Sequence, residues 1–259
     1  MRIPREGPPG RLSGYLEHEL RLLPDLQRWG LPTPRDTHVI HDTEGRLLAA
    51  VHRLIEGGAA RRGLVRGRRR ERLARQLGKF FTRLHAFPRE RATALGVSDV
   101  DLWQDQYRDL VEFCRPLLGP RTAAWLEDTT TRFLAESGMD GAPRLLIHGD
   151  IAPEHLRLDE DGALAGVIDF GDAMVADPAL DFAGLLNEFR WPFVEQVLAH
   201  YGGEVDPHLR RRARFYIKVA PLFSVRYGDL VRGGQERVDG LFRLAARAAA
   251  AARSARPSA

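Results

Sequence analysis

Apolar residues recur at helical spacing along most of this chain. Residues 13–28 carry leucines three or four positions apart, which predicts an amphipathic helix that Pro24 either bends or ends. The same spacing predicts further helices over residues 66–86, 101–117, 122–137, 178–189, 192–201, 207–232 and 236–252. The part of the chain beyond residue 58 is therefore expected to be mainly helical.

Strand patterns are confined to two places. Residues 39–41 and 47–54 are strand-like, are joined by a turn sequence, and are followed by a glycine break at Gly57-Gly58. A second hairpin is predicted within residues 144–170, where an alternation of apolar and polar residues is interrupted by Asp159-Glu160-Asp161-Gly162.

Length and composition are those of an ordinary globular protein. The 259 residues, 44% hydrophobic and 29% charged, suffice for one large domain or two modest ones. No apolar run approaches the length of a membrane span, and the first ten residues do not resemble a secretory signal, so a cytoplasmic location is expected. The single Cys114 excludes an internal disulfide.

Two short sequences at the feet of the second hairpin carry the candidate chemistry. LIHGDIAPEHL contains His148, Asp150 and His155, and VIDFGDA contains Asp169 and Asp172. Because a hairpin returns the chain to its starting point, these residues are expected to lie close together. Such an arrangement places a proton acceptor beside a metal site of oxygen and nitrogen ligands, as metal-assisted phosphoryl transfer requires.

The two sequences resemble the motifs of the kinase-like antibiotic phosphotransferases, most closely the aminoglycoside 2''-phosphotransferase and macrolide phosphotransferase branch. The first follows that family's His-x-Asp-(x)4-Asn/His loop, the second its Ile-Asp-Phe-Gly-Asp-Ala segment, and Asp177-Pro178-x-x-Asp181-Phe182 continues the pattern. The resemblance implies an α+β, protein-kinase-like two-lobe fold. Its smaller β-rich N-lobe would occupy residues 1–58, and its mainly helical C-lobe residues 59–259.

The resemblance also implies an activity and a set of roles. The enzyme would move the γ-phosphate of ATP or GTP to a hydroxyl group of a small molecule, such as an aminoglycoside, a macrolide or a related antibiotic, with Mg²⁺ as cofactor. Asp150 would be the catalytic base, and His155 and Asp169 would be the metal ligands. His148 and Asp172 would support the catalytic loop.

The residues expected to bind the nucleotide phosphates depart from the family pattern. In this family a Lys on the third strand contacts the phosphates and pairs with a Glu on the next helix, for which Glu19 is the candidate here. Arg2 occupies the expected Lys position, and no Lys precedes Lys79. Arg is a broader, fork-shaped donor than Lys and is not its equivalent. Two interpretations remain: the chain is shortened at its N-terminus, or the protein is as written and binds nucleotide weakly or not at all.

An acidic stripe is the candidate acceptor site. Its members are spaced three or four residues apart, which on a helix places them on one face: Asp101, Asp105, Asp109 and Glu112. Together with Glu188, which lies near the position where the family holds its acceptor, they are candidates for binding a polyamine-like substrate. The alternative is a solvated helix face.

Other functions remain open at this stage. The motifs also fit a non-catalytic kinase-like binding protein, a kinase of a metabolite such as a sugar, choline or homoserine, and, less well, a metal hydrolase. The chain is basic, with a net charge of +4, and residues 61–75 are rich in arginine. Because this run has no interleaved aromatic residues, it is interpreted as a solvated helix face. The expected partners are therefore a nucleotide and a small acceptor, not nucleic acid or membrane, and the expected state is a monomer or weak dimer.

Overall fold

The computed structural model of the chain describes residues 12–63, 65–136, 142–230 and 234–254. Arg2, the predicted phosphate-contacting residue, lies outside these ranges. Within them the chain forms ten α-helices: α1 (Leu12–Arg28), α2 (Gly67–His85), α3 (Arg89–Ala94), α4 (Arg108–Cys114), α5 (Pro120–Glu136), α6 (Ala179–Phe189), α7 (Trp191–Leu198), α8 (Leu209–Val219), α9 (Pro221–Leu230) and α10 (Gln235–Ser254).

Seven short strands form three small antiparallel sheets in the described residues: β1 (His38–His41), β2 (Leu47–Val51), β3 (Gly58–Ala59), β4 (Leu145–Ile147), β5 (Leu156–Leu158), β6 (Leu164–Val167) and β7 (Met174–Ala176). The sheets are β1-β2, β3-β5-β6 and β4-β7. The β1-β2 and β5-β6 hairpins are the two predicted from the sequence. The predicted domain boundary at residue 58 falls at β3, which the sequence pattern did not indicate.

The helices differ from the predicted ones in three places. Helix α3 lies in a segment where no helix is predicted. The segment predicted as one helix over residues 101–117 starts with a π-helix, Leu102–Tyr107, before α4. The segment predicted as one helix over residues 207–232 is divided into α8 and α9. The division falls at Ala220-Pro221, because proline has no backbone N–H to continue the hydrogen bonding of the preceding helix. Pro24, by contrast, lies inside α1 and does not end it.

The core joins the helices to the small sheets. One face of α2 is buried, including Leu73, Leu77, Phe81 and Leu84, and this helix packs against α7 and against β4. The helix α6 packs against α7 and α8, and α10 packs along α9. The β5-β6 hairpin is thereby held over a single continuous hydrophobic core. Across the described ranges, no helix is both long and apolar enough to cross a bilayer.

Candidate active site

The β5-β6 hairpin brings the two acidic motifs together. The first motif leaves β4 and enters β5, and the second follows β6 directly. The turn between the strands is closed by the Asp159 side chain, which accepts a hydrogen bond from Ala163 N at 2.7 Å. Gly162 follows with a φ of 73°, a backbone conformation that glycine adopts without strain. The predicted hairpin is therefore the element that builds this site.

Asp150, His155 and Asp169 meet at the foot of the hairpin. The Nδ1 atom of His155 lies 2.7 Å from the Asp150 carbonyl oxygen and 3.6 Å from Asp150 Oδ2. Its Nε2 atom lies 3.6 Å from Asp169 Oδ2. The Asp150 side chain is 53% exposed and that of Asp169 is 29% exposed, so both carboxylates are accessible from solvent. The three residues predicted to share a site are thus adjacent in space.

The backbone at Asp169 is held in an unusual conformation. Its φ is 69° and its ψ is 64°, a left-handed conformation that residues other than glycine seldom adopt. A 3₁₀ turn over Phe170–Asp172 follows, and its first amide, Phe170 N, donates to Glu19 Oε1 at 3.1 Å. Glu19 is fully buried. Helix α1 is therefore tied directly to the segment that carries Asp169.

His148 is buried beneath the site and holds backbone on both motifs. Its Nε2 donates to the Ile168 carbonyl at 3.0 Å, and its Nδ1 accepts from Asp150 N at 3.3 Å. Both contacts are satisfied by the neutral ring. Burial lowers the pKa of His148, because a charged imidazolium would lose its hydration there. A supporting role for His148 stays a prediction, and these backbone contacts are the kind that such a role requires.

A buried carboxylate at Asp181 holds the loop of residues 148–155, which carries the predicted catalytic base. Its two oxygens accept from His148 N at 3.0 Å and from Gly149 N at 2.9 Å. His85 Nε2 lies 3.1 Å from Asp181 Oδ2, and His85 Nδ1 lies 2.9 Å from the Tyr201 hydroxyl. Asp181, which the sequence analysis gives only as part of a motif, thus holds two consecutive amides of this loop. His85 was visible as the last residue of an apolar helix, but nothing in the sequence indicated its partner.

The loop also needs glycine at one position. Gly149 has a φ of 81°, and a Cβ atom there would lie 2.3 Å from the Asp172 carbonyl oxygen. The backbone of Asp172 therefore packs directly against the catalytic loop, while its side chain is exposed. Similarly, a Cβ atom at Gly184 of α6 would lie 2.3 Å from the Ile151 carbonyl oxygen. The first close approach brings the Asp172 backbone against the loop, and the second lets α6 lie against the loop at Ile151.

The predicted acceptor residues have local contacts of their own. All four members of the acidic stripe are exposed. Asp101 Oδ1 accepts from Trp103 N at 3.1 Å, and Asp105 Oδ2 accepts from Asp101 N at 2.8 Å, so both cap the start of the π-helix. Glu188 accepts from Arg62 N at 2.8 Å. Binding of an acceptor by these residues remains a prediction.

A family model for the phosphotransferase enzyme family matches residues 1–216 of the chain. Among solved structures, the GDP and kanamycin complex of APH(2'')-IIIa is 26% identical and has a TM-score of 0.81, covering 92% of this chain and 83% of that one. The macrolide 2'-phosphotransferase MphH from Brachybacterium faecium is 23% identical and has a TM-score of 0.71, covering 94% and 83% of the two chains. This second likeness shows the fold alone.

A curated relative matches over a shorter length. The uncharacterized protein YcbJ of Bacillus subtilis (strain 168) is 38% identical over 63 residues, which are 23% of this chain and 21% of that protein. The chain therefore spans about a fifth of this curated relative. The likeness to the solved structures confirms the predicted α+β, kinase-like fold.

Proposed function

Since this chain belongs to the phosphotransferase enzyme family, we propose that it transfers the γ-phosphate of ATP or GTP to a hydroxyl group of an aminoglycoside, a macrolide or a related antibiotic. The observation that carries this proposal is the meeting of Asp150, His155 and Asp169 at the foot of one hairpin. A related solved structure contains GDP and kanamycin, which supports a nucleotide donor and an antibiotic acceptor.

Asp150 is the base in this proposal. Its carboxylate is exposed beside the metal-binding pair, so an acceptor hydroxyl can approach it from solvent. Its backbone is held on two sides, by His148 Nδ1 and by the His155 ring. Catalysis of phosphoryl transfer consists mostly of positioning and charge stabilisation, so a base held this firmly fits the reaction.

His155 and Asp169 are suited to hold Mg²⁺. Because His155 Nδ1–H donates to the Asp150 carbonyl, the lone pair of Nε2 is directed toward Asp169. The described residues contain no group of three His, Cys, Asp or Glu side chains arranged as a complete metal cage. This agrees with Mg²⁺ chemistry, since that ion usually takes one or two protein ligands together with water and substrate phosphates. When bound, it would neutralise charge on the phosphate oxygens.

Glu19 has a defined place in this scheme. In the proposal it pairs with the cationic residue that contacts the phosphates, for which Arg2 is the candidate. Its hydrogen bond to Phe170 N would then couple nucleotide binding to the position of Asp169. The acidic stripe and Glu188 are the proposed contacts for the ammonium groups of an aminoglycoside.

The proposal is tested with Asp150→Asn, which keeps the size of the side chain and removes its basicity. We expect transfer of radiolabelled phosphate from ATP or GTP to kanamycin or a macrolide to slow by roughly 10²–10⁴-fold, the usual contribution of a general base. Asp161→Asn, on the exposed hairpin turn, is the matched control and should retain the parent rate. Equal rates for Asp150→Asn and the parent protein would refute the assignment of the base.

A non-catalytic nucleotide-independent role is the second candidate, favoured by Arg2 standing at the Lys position. Thermal-shift titration with Mg²⁺ and either nucleotide separates the two. A saturable rise in melting temperature that Asp169→Asn abolishes supports the enzyme. No stabilisation at millimolar nucleotide, together with no transfer to any acceptor, favours the second candidate.

A further inference from the structure

A second cleft lies on the helical part of the protein, between α5, α8 and α10. It has a volume of about 1190 Å³, and none of the residues that line it belongs to the two acidic motifs. This volume is slightly above the usual range for small-molecule sites, roughly 300–1,000 Å³. The floor of the cleft is aromatic: Phe133 and Phe215 stack face to face with ring centroids 3.6 Å apart. The half-buried Trp125 also lines the cleft.

The rim of the cleft is strongly cationic. Six lining side chains are basic and only one is acidic, whereas the whole chain has 39 basic and 35 acidic residues. The six are Arg121, Arg132, Arg211, Arg214, Lys218 and Arg253. The one acidic residue, Asp128, is paired with Arg132 at 2.8 Å. The excess is therefore local, and is not explained by the general basicity of the protein.

Several of these cations are available to a ligand. Arg214 is not one of them, because it lies over the Trp191 ring, 4.6 Å from its centroid. In the described part of the chain, the structure gives Arg121, Lys218 and Arg253 no carboxylate partner. Cations that surround one cleft repel each other, and a bound anion relieves that repulsion.

The helix that closes the cleft is fixed in place. Arg247 of α10 donates from one nitrogen to the carbonyl oxygens of Ile217 and Lys218, both at 2.5 Å. These carbonyls lie at the C-terminal end of α8, where a cation is favourable. Burial lowers the pKa of Arg247, and the nearby Arg243 lowers it further. Because α10 is tied to α8 in this way, these two sides of the cleft are held together.

We propose that this cleft is a binding site for a small organic polyanion, an aromatic compound that carries several phosphate, sulfate or carboxylate groups. The ring stacks against the aromatic floor near Trp125, and the anionic groups contact Arg121, Lys218 and Arg253 at the rim. A planar aromatic body can stack on the half-buried Trp125 ring, while the buried Phe133–Phe215 stack lies in the floor. Guanidinium groups bind phosphate and carboxylate through two parallel hydrogen bonds. The site is separate from the proposed phosphotransfer site and does not depend on it.

The experiment uses pyrene-1,3,6,8-tetrasulfonate, a flat tetra-anion, as the probe and measures its fluorescence anisotropy with the full-length protein. The test variant is Arg121→Gln/Lys218→Gln/Arg253→Gln. The matched control is Arg68→Gln/Arg75→Gln/Arg115→Gln, which removes the same charge from exposed residues outside the cleft. We expect saturable binding, at least tenfold weaker in the test variant and within twofold of the parent in the control. Circular dichroism melting establishes that both variants are folded.

The other outcomes overturn the proposal. Equal weakening in both triple variants means that the probe senses only the net charge of the protein. Binding that is unaffected by the test variant but is displaced by Mg²⁺ and GTP places the probe at the phosphotransfer site. Tighter binding of a hexaglutamate peptide than of the probe, lost in the same test variant, means that the cleft docks an acidic protein segment instead of a small molecule. Absence of saturable binding below millimolar probe also rejects the site.

Discussion

Replacement of Asp181 by Asn should loosen the catalytic loop while leaving its sequence intact. The parent carboxylate is fully buried and accepts from two consecutive amides, His148 N and Gly149 N, as well as lying against His85 Nε2. Asn has nearly the same shape but offers one oxygen and one NH₂ group. Since the NH₂ group cannot accept a hydrogen bond, one of the two amides loses its acceptor.

The size of the effect follows from these contacts. A buried N–H left without a partner costs about 1–3 kcal/mol, and the remaining hydrogen bond is weakened because its acceptor is no longer charged. His85 can adapt by exchanging its tautomer, since Tyr201 can either donate or accept. We therefore expect Asp181→Asn to lower the free energy of unfolding by about 2–3 kcal/mol. Displacement of the loop by a fraction of an ångström should also lower kcat at least tenfold.

The matched control is Asp177→Asn, four residues earlier. Asp177 is also buried, but its oxygens accept from Arg212 Nε at 2.6 Å and from the Tyr216 hydroxyl at 2.7 Å, and not from the loop of residues 148–155. Urea unfolding should show that both variants are destabilised, and phosphate-transfer assays at a temperature where both are folded should show a lower kcat only for Asp181→Asn. The reasoning is refuted if the two variants lose the same fraction of kcat, or if Asp181→Asn unfolds at the parent urea concentration.

Three further results are expected. Gly184→Ala should lower the free energy of unfolding by about 2 kcal/mol, because the new Cβ would collide with the Ile151 carbonyl oxygen. Gly119→Ala is the control: its Cβ would enter open space, so urea unfolding should show almost no change in stability. Burial lowers the pKa of His148, so below about pH 6.5 the unfolded chain binds a proton that the folded chain does not, and the stability of the protein should fall as the pH drops. His148→Gln should flatten this part of a plot of urea midpoint against pH. An unchanged slope would count against the neutral ring. Burial raises the pKa of the Cys114 thiol to about 11, so iodoacetamide at pH 8 should alkylate this thiol only in denaturant. Mass spectrometry detects the labelling. Rapid labelling of the native protein would contradict the burial of the thiol.

The part of the site that the sequence predicts is the part that one hairpin brings together. Asp150, His155 and Asp169 lie within twenty residues of each other, so turn chemistry and strand alternation suffice to make them neighbours. The residues that support the loop come from far away along the chain. Asp181 is 33 residues from His148, and His85 is 96 residues from Asp181 and 116 from Tyr201. No local pattern carries that information.

The helices and strands, too, are predicted correctly only where a local sequence pattern specifies them. Long amphipathic helices such as α2 and α10 have strong periodic patterns and are predicted to within two residues. The π-helix at Leu102–Tyr107 was not predicted, because its apolar spacing resembles that of an ordinary helix. The two-residue strand at Gly58–Ala59 exists only through its pairing with Leu158 and Arg157, and glycine in isolation indicates a break.

Because Asp181 holds the loop of residues 148–155, amino-acid substitutions in this protein fall into two groups with different consequences. Two amides of this loop, His148 N and Gly149 N, donate to Asp181 of the buried helix α6. The position of the loop is therefore tied to the packing of the core. The exposed carboxylates along residues 101–112 are not part of this arrangement. Substitutions among these surface carboxylates should therefore leave the loop held by Asp181 in place, whereas substitutions at Asp181 or its partners should lower activity and stability together.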